Sequence, residues 1–357
     1  MSRILIAPDS YKGSATSIEV ARAIAQGWRS VRPLDELIQI PFADGGEGSL
    51  LAIECARPSS QRIYCPEVSP DAYWLLLDDS TAIVELAQTS GLTLLPALDP
   101  MGAHTFAFGQ VLAIAAQDSR VEKIYCALGG SASTDAGVGA LMALGFEFLD
   151  AHGLSVGLGG QALLEISSIS TSRAISPPSG GVVLLVDVQS QLLGKNGAAS
   201  VYAPQKGATK VQVAELENAL RHFATLTEQE ESPGSGAAGG SAFGLCALWG
   251  ATIDSGSEKI AELCGIEGAL IDTDLVITGE GRLDSQSFQG KVVGHISQRA
   301  SAAHVPIAYC VGSVEGDFPS QSIGGVSLSE IAGSSTLAMR NPEKYLIEAG
   351  VQLTKLL

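Results

Sequence analysis

One recurring pattern constrains this chain more than any other feature. A short apolar run ends in a turn rich in Gly, Asp and Ser, and an amphipathic helix follows. Residues 3–7 read as a strand and run into Pro8-Asp9-Ser10-Tyr11-Lys12-Gly13-Ser14. Thr16 with Glu19 three residues later has capping-box spacing. Val20, Ala21, Ile24, Ala25 and Trp28 then form the apolar stripe of the helix it opens. Residues 37–41 are a second strand, ending at Ala43-Asp44-Gly45-Gly46-Glu47-Gly48-Ser49. The pattern returns at 123–128 before a Gly/Ser/Thr turn, at 182–186 before Asp187, at 274–277 before Thr278-Gly279-Glu280-Gly281, and at 305–311 before Gly312-Ser313. Strands alternating with helices predict parallel sheets covered on both faces. In such sheets ligands bind beyond the carboxyl ends of the strands, where each of these turns lies.

Other segments read differently. Residues 209–226 form a long amphipathic helix with Val213, Leu216, Leu220 and Phe223 on one side. Residues 232–240 are rich in Gly, Ser and Ala, and the apolar residues after them mark a loop entering a helix. Asn341-Pro342 reads as a cap followed by proline at the first helical position.

Length and composition bound the possibilities. A chain of 357 residues can bury a large core and divide into two domains. Hydrophobic residues at 46% with charged residues at 17% fit an ordered globular enzyme and exclude a disordered chain. The apolar runs are too short to cross a bilayer, and no signal-peptide-like stretch follows the first strand, so a soluble cytoplasmic protein with no membrane partner is expected. The formal charge of −17 argues against nucleic acid. An anionic ligand would then need local help from lysines, backbone N–H groups and Mg²⁺. The six cysteines form no C-x-x-C pair and the five histidines no H-x-x-x-H pair, so neither a zinc site nor a disulfide framework is indicated. Most of the cysteines read as small core residues.

The turns carry the chemistry. Asp9, Ser10, Lys12 and Ser14 put a carboxylate, a cation and two hydroxyls before a helix N-terminus, which suits an anion or a plain capped turn. Asp44 and Glu47 are hard oxygen donors among glycines, suited to Mg²⁺ or substrate hydroxyls. Gly129-Gly130-Ser131-Ala132-Ser133-Thr134-Asp135-Ala136-Gly137 has the small residues and hydroxyls of a phosphate cradle. It matches neither the P-loop nor the dinucleotide fingerprint, which disfavours a nicotinamide dehydrogenase. Asp187 closes a strand, where an acid serves as base, metal ligand or cap. Asn196 and Lys206 follow downstream. Glu280, Arg282 and Asp284 share one loop that ends in Gly290-Lys291, and Arg282 can hold a carboxylate in bidentate fashion.

Taken together, these loops resemble the class I bacterial glycerate kinases. The matching segments are APDSYKGS at 7–14, ADGGEGS at 43–49, LGGSASTDAG at 128–137, LLGKNGAAS at 192–200, YAPQKGA at 202–208, PGSGAAGG at 233–240 and GEGRLDSQSFQGK at 279–291. The order is kept over essentially the whole chain. The resemblance implies an α/β fold of two domains: a Rossmann-like parallel-sheet domain from both chain ends (1–80 plus 285–357) and a second α/β domain inserted between them (81–284), with the active site in the cleft. It implies transfer of the γ-phosphoryl group of ATP to D-glycerate with Mg²⁺, giving phosphoglycerate and, by association with the class, 2-phosphoglycerate. The expected partners are small molecules, and the chain is expected as a monomer or homodimer.

Carried over by position, Asp187, Asp284 and Lys12 are expected to be catalytic, with Asp187 or Asp284 accepting the hydroxyl proton. Asp9, Ser10, Asp44, Arg282 and Asn196 are expected to bind substrate, Arg282 through the glycerate carboxylate. Gly129, Gly130, Ser131, Ser133, Asp135, Lys206, Glu280 and Lys291 are expected to bind nucleotide or phosphate, and Asp44 and Glu47 the metal. Two segments depart from the family pattern. After Asp187 this chain has Ser190 where the family has Asn, and at 107–111 it has Gln110 where the family often has Glu. The departures open a related small hydroxy acid as substrate. A Mg²⁺-dependent phosphatase and a non-catalytic sugar-acid sensor are the competing readings.

Overall fold

The computed structural model describes residues 1–43, 45–285, 287–288 and 292–357. The chain divides into two compact units. The first comprises 1–44, 51–58 and 257–357, so both chain ends contribute to it. Its five-stranded sheet runs Gly325–Ser327, Ile307–Val311, Leu275–Thr278, Arg3–Ile6, Glu36–Gln39, and every neighbouring pair is parallel. The central strands are apolar runs that expose nothing: Ile4, Leu5, Ile6, Leu275, Val276 and Ile277 are all fully buried. That is the signature of a sheet covered on both faces.

Helix Ser17–Val31 begins at the predicted capping box. Thr16 Oγ1 accepts from the Glu19 N–H at 3.3 Å, and the Glu19 carboxylate accepts from the Thr16 N–H at 2.8 Å. All five stripe residues from Val20 to Trp28 are buried. This helix packs on Pro342–Leu353 with the two backbones nearly touching. A Cβ at Gly27 would fall 1.9 Å from the Ile347 carbonyl oxygen, so only glycine allows the crossing. Pro342 stands at the first helical position as expected, but the Asn341 side chain makes no capping hydrogen bond.

The second unit comprises 45–50 and 59–256. Its sheet runs Thr252–Asp254, Val182–Leu185, Lys123–Ala127, Thr81–Glu85, Tyr73–Leu76, Gln61–Tyr64. The first four strands are mutually parallel, and the last two are antiparallel. The antiparallel edge departs from the all-parallel expectation. Antiparallel neighbours need only short turns, here 65–72 and 77–80, and no crossover helix. No strand–helix rhythm therefore marks them in the sequence. Helix Lys210–Thr227 opens at a second capping box, Thr209 with Gln212, and buries Leu216, Ala219, Leu220 and Phe223. The Gly/Ser/Ala segment 232–240 does lead into a helix, Ser241–Trp249.

Hydrogen-bond ladders set the unit boundaries, and these differ from the expected ones. Leu275–Thr278 falls inside the expected insert, yet it pairs with Arg3–Ile6. Gln61–Tyr64 and Tyr73–Leu76 fall inside the expected first domain, yet they extend the sheet that contains Thr81–Glu85. Of the cysteines, 65, 126, 264 and 310 are buried and Cys55 is exposed; all six are free thiols. Among the described residues no helix is long and apolar enough to cross a membrane.

Candidate functional site

In the first unit the candidates gather at the carboxyl ends of three adjacent strands. The Ala7 N–H donates to the Ile277 carbonyl at 2.8 Å, and the Asp9 N–H donates to the Gly279 carbonyl at 2.8 Å. The loop after Arg3–Ile6 is thus tied to the loop after Leu275–Thr278. Tyr11 anchors the other side: its buried hydroxyl donates to the Cys310 carbonyl at 2.6 Å. Burial raises this phenol well above its ordinary value, so it stays a protonated donor. Tyr11 and Ala15 close the turn through reciprocal backbone bonds. Between these anchors lie Asp9 and Ser10, both half-buried, and exposed Lys12. The Asp9 carboxylate accepts from the Ser10 N–H at 2.6 Å.

Gly279 is required by close approach, since a Cβ there would sit 1.4 Å from the Cys310 carbonyl oxygen. Glu280 follows, 8% exposed, its backbone carbonyl accepting from the Gly312 N–H at 3.0 Å. Arg282 and Leu283 then pair in parallel with Ser313 and Val314. This short pairing brings Glu315 beside Arg282, whose guanidinium lies 2.6 Å from the Glu315 carboxylate and 3.8 Å from that of Asp284. Arg282 is two-thirds exposed, so this pair contributes little to stability. Ser287 caps the turn, its hydroxyl accepting from the Asp284 N–H at 2.9 Å. Lys291, expected at the end of this loop, and Asp44, expected in the Gly-rich loop, lie outside the described residues.

In the second unit the loop after Lys123–Ala127 is built around buried charge. Lys206 is 2% exposed. Its ammonium donates to Ser131 Oγ at 3.0 Å and to the Ser133 carbonyl. Burial pulls this ammonium down to about 8, while the negative charge of Asp135 acts against the shift. Asp135 is fully buried beneath the loop, and Oδ2 accepts from the Thr105 N–H and Oγ1, each at 2.8 Å, and from the Gly139 N–H at 3.2 Å. Its other oxygen accepts from the Gly137 N–H at 3.2 Å. Asp135 therefore fixes the start of helix Val138–Ala143. The Ser133 and Thr134 hydroxyls are buried with no protein partner among the described residues. Two unspent hydroxyls and an ammonium beside Gly129 and Gly130 suit a polyanionic phosphate chain.

The Gly-rich loop packs directly on this one. The Gly129 N–H donates to the Gly45 carbonyl at 3.1 Å, and a Cβ at Gly129 would lie 2.5 Å from Gly46 Cα. Glu47 is exposed beside Gly130. Among the described residues no three acids, histidines or cysteines converge as a metal cage. A lone exposed carboxylate is the donor set used for an Mg²⁺ that keeps its waters and also binds phosphate oxygens. Asp187, half-buried, lies just past the strand Val182–Leu185 and accepts from Ser255 Oγ at 2.9 Å. Asn196 is exposed in the bend between Gly194 and Gly197, with no hydrogen bond to another candidate among the described residues. At the family departure, the Ser190 hydroxyl meets the Tyr202 hydroxyl at 3.2 Å.

Sequence reasoning missed several supporting groups. Tyr11, Thr105 and Ser255 hold candidate loops in place, as does Glu85, whose carboxylate accepts from the Gly48 and Leu50 N–H groups. The signal for Glu85 was an acid closing the apolar run 82–84. Sequence reasoning also passed over glycines spaced as a dinucleotide fingerprint at 234, 236 and 239. The structure places that run after helix Lys210–Thr227 rather than after a strand, so the strand–turn–helix context of the fingerprint is missing there.

Known proteins similar to this chain share one family. A family model described as the glycerate kinase family matches residues 4–357. A protein named glycerate 2-kinase from Escherichia coli K12 is 38% identical over 331 residues, covering 88% of this chain and 86% of that protein. One named glycerate kinase from Halalkalibacterium halodurans is 39% identical over 329 residues, covering 88% and 86%. A crystal structure from Salmonella typhimurium LT2, assigned as a glycerate kinase 2, superposes with a TM-score of 0.78 at 32% identity over 99% of this chain and 98% of that one.

Proposed function

The chain belongs to the glycerate kinase family and is an ATP-dependent kinase; on that premise we propose that it phosphorylates D-glycerate at the 2-hydroxyl with the help of Mg²⁺. The observation that carries the position is the 38% identity to the protein named glycerate 2-kinase, which spans 88% of this chain.

Phosphoryl transfer needs alignment, charge neutralisation and a proton acceptor more than covalent chemistry. In this reading Gly129, Gly130 and the hydroxyls of Ser131, Ser133 and Thr134 receive phosphate oxygens. Lys206 acts from beneath that loop, and Asp135 holds its far end. Lys12 and Lys291 neutralise phosphate from other loops. Arg282 exchanges the Glu315 carboxylate for that of glycerate, and Asp9, Ser10 and Asn196 hold its hydroxyls. Glu47, with Asp44, holds the metal, which when bound neutralises charge on the phosphates. Asp187 or Asp284 accepts the proton of the attacking hydroxyl. A cytoplasmic location and a monomeric or homodimeric state complete the reading.

The test is ADP release with ATP, Mg²⁺ and D-glycerate, the product identified by phosphorus NMR. Glycerate-dependent ADP with a 2-phosphoglycerate signal is expected. A 3-phosphoglycerate signal overturns the position, and phosphate release without acceptor overturns the transfer. Asp187→Asn or Asp284→Asn should lower kcat by about 10²-fold or more; near-normal kcat in both removes the proton acceptor from this pair.

A further inference from the structure

Glu85 ends the strand Thr81–Glu85 at its carboxyl edge and is 7% exposed. Oε1 accepts from the Gly48 N–H at 3.0 Å, and Oε2 accepts from the Leu50 N–H at 3.0 Å. These donors lie at the start of helix Ser49–Ala56, where backbone N–H groups have no partner within the helix. A serine or asparagine at the N-cap would satisfy them without burying a charge. Here a carboxylate from another strand reaches in instead. Among the described residues no cation pairs with it, and the neighbouring Glu47 charge adds repulsion. Burying a carboxylate is an expensive way to cap a helix.

What this arrangement adds is rigidity in the turn before the helix. The grip on the N–H groups of Gly48 and Leu50 fixes the chain on both sides of Ser49, whose own hydroxyl donates to the Gly46 carbonyl at 2.7 Å. Gly45 is held from the other side by the Gly129 N–H, and a Cβ there would lie 3.1 Å from Gly256 Cα and 3.3 Å from Leu185 Cβ. Gly45 and Gly48 have φ values of 84° and 90°, in the left-handed region, so this turn needs external bonds to hold one geometry. Glu47 stands in the middle of it.

We infer that Glu85 is a positioning residue for phosphoryl transfer: through the Gly48 and Leu50 N–H groups it fixes the 45–48 turn, so that the Glu47 carboxylate is presented to the metal–phosphate group in one place. The inference rests on the reading of Glu47 as a metal-site residue. Glu85 touches neither substrate nor metal and acts through the turn.

The experiment compares Glu85→Gln with wild type in kcat, in KM for glycerate and for ATP, in the Mg²⁺ concentration for half-maximal rate, and in amide exchange of residues 45–56. A glutamine has one acceptor oxygen for two donors and points an NH₂ at the other. Phe148→Leu, a core change in the same unit where Phe148 packs on Phe223, serves as the stability-matched control. The expected result for Glu85→Gln is a kcat lower by about tenfold or more, a several-fold higher Mg²⁺ requirement, and faster exchange confined to 45–56. KM for ATP should stay within about twofold. Phe148→Leu should lose comparable stability with wild-type kinetics. Wild-type kcat and Mg²⁺ dependence in Glu85→Gln overturn the inference, as does a kinetic loss that Phe148→Leu shares. If Glu85→Gln fails to fold, Glu85→Asp keeps the charge but shortens the reach, and the same comparison applies. The kinase reading is tested on wild type and this inference on the ratio of variant to wild type, so each can fail alone.

Discussion

Replacing Lys206 by methionine should give a protein whose stability relative to wild type changes sign with pH. The Lys206 ammonium is held at about 8 rather than 10.5 by burial. The gap corresponds to a cost of ~3 kcal/mol for keeping the charge inside at pH 7. Methionine removes that cost but also removes the bonds to Ser131 Oγ and the Ser133 carbonyl, worth ~1 kcal/mol each. The variant should therefore be more stable than wild type at pH 7 by ~1 kcal/mol. As pH rises through 8, the folded wild type releases the Lys206 proton while the unfolded chain keeps it up to about 10.5. The unfolded state then binds more protons, and wild-type stability climbs. By pH 9.5 wild type recovers ~2 kcal/mol and should be the more stable of the two by ~1 kcal/mol. The other titrating groups are common to both proteins and cancel. The assay is urea unfolding at pH 7.0, 8.0 and 9.5 in a Trp28→Phe background, so that fluorescence reports only Trp74 and Trp249 of the second unit. Parallel stability curves, with a difference constant to within ~0.5 kcal/mol, would refute the reasoning, because they would mean Lys206 keeps an ordinary affinity for its proton. Activity should fall by about 10²-fold despite the gain in stability at pH 7, since the phosphate loop loses its buried cation.

Further outcomes follow from the same geometry. Gly279→Ala forces a methyl group 1.4 Å from the Cys310 carbonyl oxygen; we expect a loss of ~3 kcal/mol or more in the first unit, read by Trp28 fluorescence during denaturation. Tyr11→Phe removes the donor to the Cys310 carbonyl and should cost about 1–2 kcal/mol by the same measurement. Thr105→Val deletes the hydroxyl that donates to Asp135 at 2.8 Å and accepts from the Ala140 N–H at 2.9 Å. A loss of roughly 2 kcal/mol is expected in the second unit, and a change below ~0.5 kcal/mol would show that the Asp135 network does not hold that loop. Glu315→Gln frees Arg282 of the nearer of its two carboxylate partners and should lower KM for glycerate by about twofold to fivefold with kcat unchanged; a raised KM would count against Arg282 as the carboxylate ligand.

The sequence by itself determined the local rules. Thr16 with Glu19 starts its helix because both halves of the capping box lie within one turn. The stripe from Val20 to Trp28 is buried because its period matches the helix. The central strands were legible because strands buried on both faces must be apolar throughout. Placing the candidate loops at strand ends followed from the same alternation. Tertiary structure decided what no local window contains. The strand Leu275–Thr278 belongs with Arg3–Ile6 because of a ladder closed across some 270 residues. The antiparallel edge Tyr73–Leu76 and Gln61–Tyr64 escaped because hairpins carry no helix signal. Roles diverged most where charge is buried. Asp135 and Lys206 look alike in sequence as polar residues in Gly-rich loops, yet one caps a helix and the other braces a loop from inside. Glu85 carries no motif at all, and its importance comes from N–H groups such as those of Leu50 and Gly48, 35 and 37 residues away, that fold onto it. Local propensity acts over a turn or two of chain, whereas the cost of burying a charge depends on everything the fold brings around it.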